Sequence, residues 1–145
     1  MIQFKALDNQ HEWEWFKGRT HVIQCEDSQG IVAVSAEGNI LAICVADSFS
    51  PDSCNVHMAI DNPIVIRSGF LSECGRHLFH HLKRNHIFGL VPSNNARALK
   101  FNKHIGWREV ARIPDGVGTG TDYVILRMDK AECRWIDQPA KEEAA

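Results

Sequence analysis

At 145 residues the chain has the length of one domain, with enough side chains for a sizeable core. Apolar residues make up 44% and charged residues 23%, which excludes a disordered or low-complexity chain. Sixteen Lys and Arg against 18 Asp and Glu leave a formal net charge of -2, without the basic field that non-specific nucleic-acid binding draws on. Apolar runs are far shorter than a bilayer span, and the first residues lack the pattern of a secretory leader. The expectation is a cytoplasmic protein with neither nucleic acid nor membrane as partner. Cys25, Cys44, Cys54, Cys74 and Cys133 are odd in number, scattered and free of any C-x-x-C spacing, so they read as reduced thiols, most of them in the core.

In chain order, residues 2–7 predict a short strand. Asn9 and Glu12, at capping-box spacing, predict a helix over 9–17 with Trp13 and Phe16 on one stripe. Two β-branched runs, 30–36 and 40–46, flank Glu37-Gly38-Asn39 and predict a hairpin. Residues 54–60 alternate as a further strand, with His57 on the face opposite Val56, Met58 and Ile60.

The period then changes. Leu71, Cys74, Leu78 and Leu82 fall on one arc at 100° per residue, predicting a helix over 69–84 with Ser68 as its N-cap and His80 turned away. Residues 86–91 form a short strand, and a second helix runs from Ser93 or Asn94 to His104, stopped by Gly106. Two strands, 107–113 and 123–128, finish the fold around the Gly-rich connection 114–120, and residues 136–145 read as a frayed tail. The order defines a single α/β (α+β) domain. Its sheet is mixed and mostly antiparallel, with helices on both faces and one strand-helix-strand unit whose two strands lie parallel.

The segment from Val91 through Asn95, Ala98, Phe101 and Asn102 to Gly106-Trp107 carries the strongest motif. Asn95, Ala98, Asn102 and Ile105 share one helix face within roughly 80°, polar at two points and thin between them. It resembles motif B of the GNAT superfamily of N-acetyltransferases, V-x-x-x-N-x-x-A-x-x-F/L-Y-x-x-x-G-F, with Trp107 in place of the Phe and Asn102 in place of the Tyr. The resemblance extends from about Ile31 to Met128, because the order of elements is also similar.

That resemblance implies a GNAT-like fold and an acyl-CoA-dependent N-acyltransferase. Acetyl-CoA is then the acyl donor, and the acceptor is a primary amine on a small molecule or peptide. It assigns cofactor contacts to Asn95, Ala98, Phe101, Asn102 and Lys103. The backbone of Ala59 and Ile60 would pair with pantetheine, and a pyrophosphate loop would be formed by Arg67, Ser68, Gly69, Phe70 and Leu71. His57 is the candidate base, since imidazole accepts a proton near neutral pH, and Tyr123 is a candidate acid. A side-chain amide at Asn102 has no acidic proton to give. The alternative is therefore a catalytically inactive GNAT-like domain that binds CoA or serves as an adaptor.

Cys74, His77 and His81 share one helix, but Cys74 belongs to the apolar stripe, so a zinc site is not expected. Gly116, Gly118 and Gly120 precede a strand and no helix, which disfavours a phosphate loop there. Arg97 or Lys103 is expected to meet a CoA phosphate. Trp135, taken as exposed, would mark a contact patch, as in a homodimer.

Overall fold

A computed structural model of the chain describes residues 1–136. The expected tail, apart from Ile136, lies outside the described residues. Seven strands form one sheet: β1 (Gln3–Ala6), β2 (Gln29–Val34), β3 (Ile40–Asp47), β4 (Ser53–Ile60), β5 (His86–Pro92), β6 (Arg108–Gly118) and β7 (Thr121–Asp129). Their spatial order is β1-β2-β3-β4-β5-β7-β6, antiparallel throughout except for β4 beside β5.

Alternation along the strands divides two cores. On one face Cys44, Ala46, Cys54, Val56, Ile87, Leu126 and Met128 pack against the helices α2 (Ile64–Arg67) and α3 (Phe70–Gly75), and α4 (Ala96–His104) covers the same face. On the other, Val32, Ile43 and Val45 receive Trp13 and Phe16 of α1 (Gln10–Thr20). Burying a side chain such as Phe16 or Leu78 contributes about 1.5–3 kcal/mol, so each core holds its helix firmly.

Several expectations are corrected. Helix α1 runs one turn beyond residue 17, and its cap is shared: Asn9 accepts from the Glu12 N–H at 2.9 Å, while Glu12 accepts from the Asp8 N–H at 3.1 Å. Buried Glu12 also receives Lys5 Nζ at 2.6 Å. The long helix over 69–84 is interrupted. Gly69 adopts φ 91°, a conformation that side chains resist, and separates the single turn α2 from α3. Ser68 is thus the C-cap of α2 and no N-cap. Beyond Gly75 the helix widens into π geometry over Arg76–His81, with the Leu82 N–H reaching back to the His77 carbonyl at 2.8 Å. This brings both Leu78 and Phe79 into the core.

Residues 114–118, expected as a loop, extend β6. Asp115 Oδ1 accepts the Gly120 N–H at 2.7 Å and closes a shorter turn. Trp135 is buried at 3% exposure, donates Nε1–H to the Ile105 carbonyl at 2.8 Å and meets Trp107 edge-on. It marks no surface patch. Among the described residues no helix is long and apolar enough to cross a membrane.

The feature that positions the site is the parallel pair. β4 and β5 are in register only at Ser53↔His86, Cys54↔Ile87 and Asn55↔Phe88. Above that level β4 remains paired to β3 as far as Ile60, and β5 to β7 as far as Pro92, so each strand follows its own antiparallel neighbour and the two part. The backbone groups that β4 turns toward the gap lose their sheet partners there and need others.

Candidate active site

A cleft of about 500 Å³ opens where the strands part, on the face that carries α3 and α4. Met58 and Ile60 of β4 form one wall, continued by Asp61, Pro63 and Ile66. Asn95, Arg97, Ala98, Phe101 and Asn102 of the α4 segment form the other. The Asn95 side chain accepts the Ala98 N–H at 3.1 Å, which fixes the start of α4 and leaves its carboxamide N–H groups for the cleft.

Of the residues expected to hold cofactor, Ile60, Asn95, Ala98, Phe101 and Asn102 come together on this cleft. The others stand apart from its lining. Ala59 faces the opposite side of the sheet, against the α1 core. Lys103 reaches toward Glu109, 3.9 Å away on β6, because its position on α4 points past the cleft, whereas Arg97 lines it. In the expected phosphate loop, Arg67 is exposed in the last turn of α2. The Ser68 N–H is spent on the carbonyls of Ile64 and Val65, both at 3.2 Å. Phe70 is fully buried against Phe4, so only its backbone can serve a ligand. Gly69 caps α3 with no side-chain bond, and the N–H groups of Phe70 and Leu71 open a helix that cannot satisfy them internally.

Asp61 stands at the cleft mouth. Arg19 of α1 grips it through two bonds of 2.8 and 2.7 Å and lies 3.8 Å from the Trp15 ring centroid. The guanidinium holds the Asp61 carboxyl below the usual carboxylate range and offsets its negative charge at the cleft lining.

His57 and Tyr123 lie on the other face. The pairs Val45↔His57 and Asn55↔Phe88 place His57 on the α1 side, just above the last paired residues of β4 and β5. Its Nε2 is 3.0 Å from Oδ2 of Asp47, the last residue of β3 and 4% exposed. Asp47 was missed from sequence alone, although a carboxylate ending the apolar run 40–46 signals a buried acid that needs a partner. Tyr123, the third residue of β7, is on the same face, opposite Pro92 and Ile113. Among the described residues no group of three or more His, Cys, Asp and Glu could hold a metal ion. His77 stacks on His81 and Cys74 is buried in the core.

The open parallel pair, the sheet order and the helix positions together define the GNAT fold, and this chain has it. The chain is similar to a spermidine N-acetyltransferase SpeG mutant from Vibrio cholerae, with a TM-score of 0.76 and 10% identity, over 94% of this chain and 96% of that one. The dodecameric spermidine N-acetyltransferase from Vibrio cholerae matches with a TM-score of 0.72 and 12% identity, over 90% and 94%. A putative phosphinothricin N-acetyltransferase matches with a TM-score of 0.65 and 19% identity, over 89% and 98%. No protein-family model and no curated protein sequence matches the chain.

Proposed function

We propose that the protein is an N-acetyltransferase that takes its acetyl group from acetyl-CoA and passes it directly to a primary amine. The observation that carries this reading is the parting of β4 and β5 above Asn55 and Phe88, with a cleft on one face and the His57–Asp47 pair on the other. A pantetheine arm bonded to the freed amides of β4 around Ala59 and Ile60 would reach the gap from the cleft side. Ala98, having no side chain beyond Cβ, leaves room for it, while Arg97 and the first N–H groups of α3 are available to phosphate.

On the opposite face His57 takes a proton from the acceptor, with Asp47 holding the imidazole by its other partner nitrogen. The neutral amine nitrogen attacks the thioester carbonyl, the tetrahedral intermediate collapses with cleavage of the carbon–sulfur bond, the new amide nitrogen sheds its second proton to solvent, and the thiolate receives a proton. Asn102 does not supply that proton; Tyr123 or water does. A β4 N–H turned to the gap polarises the carbonyl, and no metal takes part in these steps.

Titration calorimetry with CoA, followed by thiol release from acetyl-CoA over a panel of amines, tests the proposal. Saturable one-to-one binding with amine-dependent release is expected. Binding without release from any amine would favour the inactive CoA-binding reading, and absence of binding would overturn both.

A further inference from the structure

Among the described residues, the α1 face of the sheet is covered over its first half alone. Strand register places Phe88 and Leu90 of β5, Tyr123 and Ile125 of β7 and Ile113 of β6 side by side on that face, adjoining His57 across the gap. None of the five belongs to either core, and Leu90 and Ile113 are 41% and 44% exposed. They make an apolar, partly aromatic wall that begins where β4 and β5 part.

Among the described residues, the carboxylates around this wall already hold hydrogen-bond partners. Asp47 is bonded to His57 at 3.0 Å, and Asp115 at the hairpin tip accepts the Gly120 N–H. Asp129 at the lower end accepts from Arg127 Nε at 2.8 Å and is 2.7 Å from His86 Nδ1, with Arg108 beyond it at 3.3 Å. A second ammonium group on an acceptor would find apolar side chains and the guanidinium of Arg127 in place of a free carboxylate, at a desolvation cost. An acceptor with one amine and an apolar or aromatic body would set the amine at His57 and its body on the wall.

Resting on the acetyltransferase reading above, we infer that the acceptor is a monoamine carried on an apolar or aryl-alkyl group, and that polyamines are poor substrates. The occupant of the wall is thus a small hydrophobic amine, matched to it by the lack of an unengaged carboxylate beside it among the described residues and by continuity with His57.

The test compares 2-phenylethylamine and hexylamine with spermidine and putrescine in the thiol-release assay. The inference predicts a kcat/KM at least tenfold higher for the monoamines. Leu90→Asp, at a position 41% exposed, should lower the 2-phenylethylamine value at least tenfold while sparing CoA binding and leaving circular dichroism unchanged. Spermidine turned over as well as 2-phenylethylamine would overturn the inference, as would a Leu90→Asp protein with an unchanged preference. A dimer in sedimentation that Leu90→Asp dissociates would also overturn it, by giving the wall to a second copy.

Failure of the acetyltransferase reading shows separately, as no CoA heat and no release with any amine. The wall is then judged by binding of 2-phenylethylamine to the isotope-labelled protein. Methyl shifts at Leu90 and Ile125 of the parent, with the Ile125 shift lost in Leu90→Asp, uphold it, and their absence from the parent overturns it.

Discussion

Replacing His57 and Asp47 singly and together is the sharpest perturbation of the chemistry. A general base typically contributes 10²- to 10⁴-fold, so His57→Ala should lower kcat/KM by about that factor, or ~3–5 kcal/mol of transition-state stabilisation. Asp47 acts only by holding the ring, through one 3.0 Å bond from a buried carboxylate. Losing a bond to a charged group is worth about 1.5–3 kcal/mol, so Asp47→Asn should cost ~10- to 100-fold. Because Asp47 works through His57, the double variant should be no slower than His57→Ala alone, a coupling of about the whole Asp47 effect.

Stability supplies a second reading of the same pair. Among the described residues, His57→Ala leaves the Asp47 carboxylate with the Ser48 hydroxyl alone at 3.2 Å, which should destabilise the fold by about 1–3 kcal/mol. At ~2–4 °C per kcal/mol for a chain near this size, Tm should fall by roughly 2–12 °C. Steady-state thiol release and thermal unfolding on the four proteins measure both effects. Turnover by His57→Ala within threefold of the parent, or additive effects of the two substitutions, would refute the role given to this pair.

Arg19→Ala should raise the KM for acetyl-CoA about two- to fivefold at low salt, and less at high salt, because it leaves the Asp61 carboxylate bare at the cleft mouth; steady-state kinetics at two ionic strengths checks this. Gly69→Ala forces φ 91° on a residue with a Cβ and should destabilise the protein by about 1–2 kcal/mol in urea unfolding. Asp129 is held below the usual carboxylate range chiefly by its bond from Arg127, and further by His86. A depressed folded-state pKa gives stability that is full above the unfolded value near 3.9 and is lost as pH falls below it. The Tm gap between the parent and Asp129→Asn should therefore shrink as pH falls below about pH 4. A gap unchanged at about pH 3 would refute that assignment.

Much of the fold could be read from local pattern. Val56, Met58 and Ile60 alternate as their strand does, and Gly106 stops α4 because a positive-φ stop is a local event, whereas the start expected at Ser93 or Asn94 moves to Ala96, since the Asn95 side chain is the one that caps the Ala98 N–H. The stripe through Cys74 and Leu78 survives even the widened helix turn, since both remain buried. Features made by distant partners were not legible. Gly69 reads as a helix residue until the one-turn helix before it is known, and Trp135 reads as exposed until Trp107 and the Ile105 carbonyl come against it. Within the site, the α4 residues were found through the resemblance of residues 91–107 to motif B, and Asn95, Ala98 and Asn102 among them share one helix face. The meeting of His57 with Asp47 depends on the register of β3 with β4, which a five-residue connection sets and the residue types around it do not reveal.

The most direct measurement is calorimetric titration of CoA into the intact protein and into Ala98→Trp, whose larger side chain would fill the cleft beside Met58 and Ile60. The account predicts saturable one-to-one heat for the parent and its loss in the variant, with both proteins equally folded by circular dichroism. Absence of heat from the parent at millimolar CoA, or equal affinity in both proteins, would contradict it.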